Sequence, residues 1–377
     1  MIKRLRSILE GAAQASDESG LRFHRPLLLL QSDDWGRVGV RDREGWEELR
    51  GAGLDLGQSP YDFYSLETAD DVRALSGLLK RHRDSVGRNP PMVMNFIMAN
   101  VDFKSALAWG DKTSLLALSD GLPDGWRRPN LFETYREGIE EGVFFPALHG
   151  LTHFCARSLH RELNARGERA DLIEKLWSAR TPYIYWRMPW IGYEYWDASM
   201  EANERFLPLE EQRVLIDRAM EGYRKFFNEM PFSACAPGYR ANAVTRATWF
   251  ERGIRVAQNG PARRLPYFDE MGMLHTFRTI EMEPAVALVD LKKIIDEVET
   301  CFQRGLPAII AIHSINFHST LRDFRSSTIS SLDALLTAVE RKWPDVHYIT
   351  DADLYRIASE GFYFAQGSKV QVGAAAA

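Results

Sequence analysis

Two short polar stretches carry the residue types that hydrolytic chemistry uses: Ser32-Asp33-Asp34-Trp35-Gly36 and His149-Gly150-Leu151-Thr152-His153. Together they offer two adjacent carboxylates and two imidazoles, a donor set suited to one divalent cation with positions left for water and a carbonyl. Two unpaired carboxylates cost too much to bury, so Asp33 and Asp34 belong where a strand emerges and a cation or a proton can meet them. If the second stretch is helical, its spacing puts His149 and His153 on one face, able to grip one ion. Each piece also has an ordinary reading. Adjacent aspartates recur in turns and at helix N-caps, and a bare HxxxH is as much a packing pattern as a ligand pair.

Position separates the readings. Pro26-Leu27-Leu28-Leu29-Leu30-Gln31 and Val143-Phe144-Phe145-Pro146-Ala147-Leu148 are short apolar runs of the kind that form strands buried on both faces, and each ends in one of the polar stretches. Further strands are predicted at Met92 to Met98, Phe232 to Ala236, Ile254 to Ala257, Leu306 to Ile312 and His347 to Thr350. Helical spacing runs over Asp42 to Leu49, Glu67 to Arg83, Asn130 to Glu141, Leu209 to Met230, Ala243 to Arg252 and Ser327 to Lys342, and Asp351 can cap a last helix. This alternation predicts a parallel sheet, closed or nearly closed, with helices outside. Asp33-Asp34, His149, Tyr239-Arg240 and His313 then all follow carboxyl ends of strands, the rim on which barrel active sites are built.

The chain has 377 residues, 45% of them hydrophobic, which is enough for a large core, and no Pro/Gly/Ser linker divides it. The expected organisation is a lead-in helix over 1–25, one barrel domain over 26–365 with an aromatic-rich insertion at 156–205, and a disordered tail over 366–377. A net charge of -5 argues against nucleic acid as a partner. Basic residues open the chain, but Glu10 interrupts any apolar signal segment, and no run reaches transmembrane length, so a cytoplasmic protein is expected. Cys155, Cys235 and Cys301 are too few and too scattered for a disulfide framework.

At these residues the chain resembles the polysaccharide deacetylase superfamily, the NodB-homology or family 4 carbohydrate esterase fold, over about residues 25 to 358. That resemblance implies an α/β fold, a distorted (β/α)7-8 barrel. Gln31-Ser32-Asp33-Asp34-Trp35-Gly36 stands where members carry Thr-Phe-Asp-Asp-Gly, which implies Asp33 as general base and Asp34 as metal ligand. His149-Gly150-Leu151-Thr152-His153 is similar to the His-Ser/Thr-x-x-His motif, which implies two more ligands. Ala311-Ile312-His313 resembles the late Leu-x-His, which implies His313 as general acid. Two motifs depart. Cys235-Ala236-Pro237-Gly238-Tyr239-Arg240 replaces Arg-x-Pro-Tyr-Gly, so the arginine that steadies the base is missing at its usual place, and Arg240 might reach in from the other side. Asp-x-x-Asp-Trp, which orients the acid histidine, has no counterpart in Val256 to Gly260; Asp269, Glu281 or Glu283 could substitute.

The function expected is a metal-dependent hydrolase that removes an acetyl or similar acyl group from an acetylated saccharide or a small amide. Zn2+ is the first choice of metal, and Co, Ni, Mn or Fe suit the same donors. A backbone N–H near Gly238-Tyr239 could stabilise an oxyanion, Trp35 would line the mouth or equally pack in the core, and His318, a second imidazole in the acid's loop, would bind substrate or simply be exposed. Tyr183, Tyr185, Trp186, Trp190, Tyr193, Tyr195 and Trp196 in the insertion suit a sugar platform or lid, a homo-oligomer surface, or plain packing. The alternative is a carbohydrate-binding protein on the same barrel that has lost turnover.

Overall fold

The computed structural model describes residues 20–106 and 114–373. In chain order its strands are β1 (Leu27–Trp35), β2 (Met92–Phe96), β3 (Ala99–Val101), β4 (Leu115–Ala117), β5 (Phe144–Leu148), β6 (Ser233–Cys235), β7 (Val256–Asn259), β8 (Tyr267–Phe268), β9 (Leu274–Phe277), β10 (Ile280–Glu281), β11 (Ala308–Ala311), β12 (His347–Tyr348), β13 (Phe362–Ala365) and β14 (Ser368–Gln371). Ten of them form one sheet in the order β10-β11-β1-β2-β5-β6-β7-β9-β8, with β12 added to β1. Every pairing in that sheet is parallel except β8 with β9. Helices cross between the parallel strands, among them Ala69–Leu79, Leu131–Glu140, Leu209–Phe227, Ala243–Glu251 and Arg325–Lys342.

The two ends of the sheet meet on one segment. Residues 274–277 pair with β7, from Val256↔Leu274 to Asn259↔Phe277, and residues 280–281 pair with β11, from Ile280↔Ile310. Between them, Thr279 N donates to Ile309 O at 3.2 Å, and Ile309 N donates to the Thr279 hydroxyl at 2.8 Å. The strands therefore return on themselves as a distorted barrel, closed by residues 274–281.

Period-2 alternation divides the side chains between two cores. Leu27, Leu29, Val93, Ala147, Val256, Leu274 and Ile309 face inward, where Leu354 and Ile357 of the helix Asp351–Glu360 plug the barrel. Leu28, Leu30, Met92, Met94, Leu148, Ala308 and Ile310 pack against the surrounding helices. Continuing the inward register by two residues per step reaches Gln31 and Asp33 on β1, Asn95 on β2, His149 after β5, Cys235 on β6, Gln258 on β7, Arg278 after β9 and His313 after β11. The site grows from the same alternation that builds the core.

Several expectations are corrected. The stretch 265–283 contains β8, β9 and β10, and Leu291–Gln303 is a helix with Asp290 accepting from Lys293 N; the sequence reading had neither. The last helix is capped by Thr350, whose side chain accepts from Asp353 N in a reciprocal capping box, so Asp351 is not its cap. Of the expected disordered tail, residues 368–371 form β14, paired antiparallel to β13, because Tyr363 and Val372 find a place in the inner core; residues 374–377 lie outside the described residues. Residues 1–19 of the expected lead-in helix also lie outside them, and 20–25 are non-helical, held by Leu21 N on Pro266 O and Phe23 N on Gly305 O. All three cysteines are buried and free. Among the described residues no helix is long and apolar enough to cross a membrane.

Candidate metal and acid–base site

Asp34, His149 and His153 converge: one ligand atom from each lies within 4.8 Å of the others. The convergence does not come from a helix. Residues 149–155 form a loop, and its shape is set by Glu194, which accepts from Leu151 N at 2.7 Å and Thr152 N at 3.3 Å. Gly150 has φ +94°, and a Cβ there would meet Glu194 Oε2 at 1.9 Å, so glycine is required on two counts. Glu194 lies in the insertion at 156–205 and is buried, which pushes its carboxyl up to about 8.

The chemistry of the three donors fits a divalent cation. His149 Nδ1 is 2.8 Å from Cys235 O, an acceptor, so Nδ1 carries the proton and the Nε2 lone pair faces the site. His153 is held neutral: burial drives its pKa down to about 3, with Asp34 opposing and Arg37 assisting. Asp34 Oδ1 lies 3.2 Å from His153 Nε2 and 3.6 Å from His149 Nε2. It is buried with no hydrogen-bond donor among the described residues. A buried carboxylate oxygen that meets only two imidazole nitrogens is costly unless a cation or a proton sits between them. Burial opposes the Asp34 charge, yet Arg37, His153 and His149 hold the carboxyl well below its ordinary range.

Backbone strain aims Asp34. Its φ of +76° is costly for a non-glycine residue, about 1–2 kcal/mol. Tyr64 Oη donates to Asp34 O at 2.8 Å, and Arg37 N donates to the same oxygen at 3.3 Å. The Arg37 guanidinium lies 3.5 Å from Asp34 Oδ2, donates to Tyr183 Oη at 3.0 Å and stacks over Tyr64 at 3.8 Å. It fixes the second Asp34 oxygen and leaves the first facing the two histidines.

The other wall holds Asp33 and His313. Arg278, fully buried, donates to Asp33 Oδ1 at 2.5 Å and to Tyr239 Oη at 2.8 Å. Asn95 Nδ2 gives Oδ1 a second bond, at 2.8 Å. Asp33 Oδ2 is the freer oxygen, with Cys235 Sγ and His313 Nε2 each at 3.9 Å. Burial again opposes the charge; Arg278, His149 and His313 outweigh it and hold Asp33 low. His313 Nδ1 meets Glu283 Oε1 at 2.6 Å, and Asn316 Nδ2 holds the other Glu283 oxygen at 2.5 Å. Burial disfavours the imidazolium, but Glu283 and Asp33 raise it to about 9. His313 is thus protonated at neutral pH with Nε2–H toward Asp33.

The arginine beside Asp33 is Arg278, not Arg240. Arg240 is exposed and lies over Trp196 at 4.7 Å. Of the three acids weighed for His313, Glu283 makes the contact, while Asp269 pairs with His275 at 3.1 Å. Tyr239 N donates to Ala236 O at 2.8 Å, so that N–H is spent within its own turn and offers nothing to an oxyanion; the Tyr239 ring serves Arg278 instead. Trp35 is fully buried, stacked on Phe317 with centroids 5.8 Å apart, and does not line a mouth. His318 is 1% exposed, with Nδ1 accepting from Ser65 N and Nε2 on Glu67; it braces the core behind the site. Sequence reasoning missed Arg278, Arg37, Asn95 and Glu194. The one signal available was alternation in Leu274-His275-Thr276-Phe277-Arg278, which puts Arg278 on the inward register.

The insertion roofs His153. Tyr183 lies parallel to it at 6.3 Å, and Tyr193 and Tyr185 approach edge-on at 5.6 and 6.4 Å. Trp186 and Arg187 anchor the roof by donating to Asp62 at 2.8 and 2.9 Å.

No protein-family model matches the chain, and no curated protein matches it in sequence. Solved structures do. A candidate glycoside hydrolase/deacetylase from Parabacteroides distasonis is 12% identical, with a TM-score of 0.51, covering 91% of this chain and 74% of that one. A probable polysaccharide deacetylase from Pseudomonas aeruginosa has 14% identity, a TM-score of 0.47 and coverage of 89% and 92%. The peptidoglycan deacetylase PdaC from Bacillus subtilis has 12% identity, a TM-score of 0.35 and coverage of 89% and 93%. The chain has the fold of the NodB-type deacetylases.

Proposed function

We propose that the protein is a metal-dependent hydrolase that removes an acetyl or similar acyl group from an acetylated saccharide or a related small amide. The observation that carries this reading is the unpaired Asp34 Oδ1 between two imidazoles, with a base and a protonated acid on the facing wall. Asp34, His149 and His153 would hold the ion. A carboxylate held as low as Asp33 takes a proton only from a water of raised acidity. A bound divalent cation supplies that acidity and polarises the substrate carbonyl.

The chain's own residues do the rest. Asp33, with Oδ1 fixed by Arg278 and Asn95, turns Oδ2 to the attacking water and takes its proton. His313, with Nδ1 held by Glu283, gives the Nε2 proton to the departing nitrogen or oxygen. Tyr183, Tyr185 and Tyr193 narrow the approach and exclude water around His153. The alternative of a binding protein without turnover drew on the two departed motifs. It loses that support, since Arg278 stands on Asp33 and Glu283 on His313.

The test is acetate release from a panel of acetylated saccharides and small N-acetyl amides, read beside bound-metal stoichiometry. Turnover by the wild type, lost in Asp33→Asn with metal retained, is the expected result. Equal inertness of both proteins across the panel, with glycan binding intact, would end the enzymatic reading.

A further inference from the structure

Below Asp33 the barrel holds a buried polar layer, of which the chemistry above uses Asn95 alone. Asn95 and Gln258 form a reciprocal amide pair: Asn95 Nδ2 donates to Gln258 Oε1 at 2.8 Å, and Gln258 Nε2 donates to Asn95 Oδ1 at 3.0 Å. Each amide turns its other N–H to a carboxylate, and Gln258 Nε2 also lies 3.3 Å from Ser233 Oγ. Asn95 gives its hydrogen to Asp33 Oδ1 at 2.8 Å, and Gln258 gives its own to Asp351 Oδ2 at 2.7 Å. Gln31 Nε2 holds the other Asp351 oxygen at 2.9 Å. All five residues are buried, none more than 3% exposed.

Resting on the reading of Asp33 as base, we infer that Asp351 is a positioning residue: through the Gln258–Asn95 pair it fixes which end of the Asn95 amide faces Asp33. A reciprocal amide pair satisfies itself equally well if both groups turn over, because the two bonds between them survive. Turned over, it would aim a carbonyl oxygen at each carboxylate. Two acceptor-only carboxylates at the two ends therefore select one orientation, and neither amide can turn without breaking bonds at both ends. The amides carry orientation and not protons, since relaying a proton would require an imidic tautomer.

Asp351 is not occupied as a helix cap, and besides the two amides it meets the Ser233 hydroxyl. Thr350 caps the helix that Asp351 begins, so the carboxylate is free to point into the barrel. Burial raises its carboxyl to about 6, against hydrogen bonds from Ser233, Gln31 and Gln258, so at neutral pH it accepts from both amides.

The experiment records side-chain amide 15N–1H signals, with Asn95 assigned by their loss in Asn95→Ala, and steady-state kinetics on the best substrate of the panel. In Asp351→Asn, the Asn95 hydrogens are expected to lose their protection from solvent exchange. kcat should fall about tenfold with KM and metal content unchanged, as for a residue acting on the transition state alone. Gln258→Met cuts the pair at its middle and should give the same signature, which keeps the test intact if Asp351→Asn does not fold. Wild-type Asn95 signals in either folded variant overturn the inference, and so does unchanged kcat with altered signals. The amide spectra do not require turnover. Wild-type activity in Asp33→Asn would therefore sink the base assignment separately.

Discussion

The two walls of the site keep their charged groups in opposite states. On the wall that would hold a cation, the electrostatics strip protons: His153 is driven neutral, and Asp34 Oδ1 has no donor among the described residues. On the acid–base wall every charge is matched, Asp33 by Arg278 and His313 by Glu283. The first pairs one Asp34 oxygen with Arg37 and turns the other, with two imidazoles, towards a shared point; the second is neutral in sum and holds a proton ready. A buried charge with its partner removed costs about 3–5 kcal/mol, so the second wall withstands substitution less well than its balance suggests.

The sharpest way to break this contrast is to separate metal loss from activity loss. Asp34→Ala is expected to abolish both metal stoichiometry and turnover, whereas Asp33→Asn keeps the metal and loses about 10²–10⁴-fold in kcat. Loss of metal from Asp33→Asn would erase the division between the walls. Next comes Glu283. His313 is competent as an acid only when protonated, so with its pKa raised to about 9, activity holds through neutral pH and falls as pH passes that value. Glu283→Gln removes the partner that raises it, and the alkaline limb of the pH profile moves down towards about 6.5. A limb that stays in place would show that Glu283 does not set the acid. Gly150→Ala should weaken metal affinity about 10–100-fold, measured by competition with a chelating dye, because it disturbs the seating of the histidine loop on Glu194. The smallest effect is expected of Arg240→Ala, within about 0.5 kcal/mol in thermal unfolding, since Arg240 lies on the surface against Trp196 and touches neither wall.

The cation wall was legible because its residues sit in two compact stretches, each at the end of an apolar run that reads as a strand. The spacing of His149 and His153 suggested a helix and the fold made a loop, yet the convergence survived. Glu194 supplies from far along the chain what helical periodicity would have supplied locally. The acid–base wall was half legible. His313 follows an obvious strand, but Arg278 and Glu283 flank β10, a two-residue strand whose polar/apolar alternation is faint beside the continuous apolar runs elsewhere. With that strand unread, its arginine had no address, and Arg240 was the nearest available cation. Trp35 and His318 were misplaced for a related reason: a residue next to a catalytic motif can point either way from the sheet, and only the register decides.

The segment 274–281 closes the ring between β7 and β11 like a zip, and Arg278 sits at its slider. A chain with this seam undone would hold its metal donors, which reside on β1 and after β5, but would have no guanidinium beside Asp33. On the proposed function, turnover would therefore report that the ring is complete in a way that metal content would not.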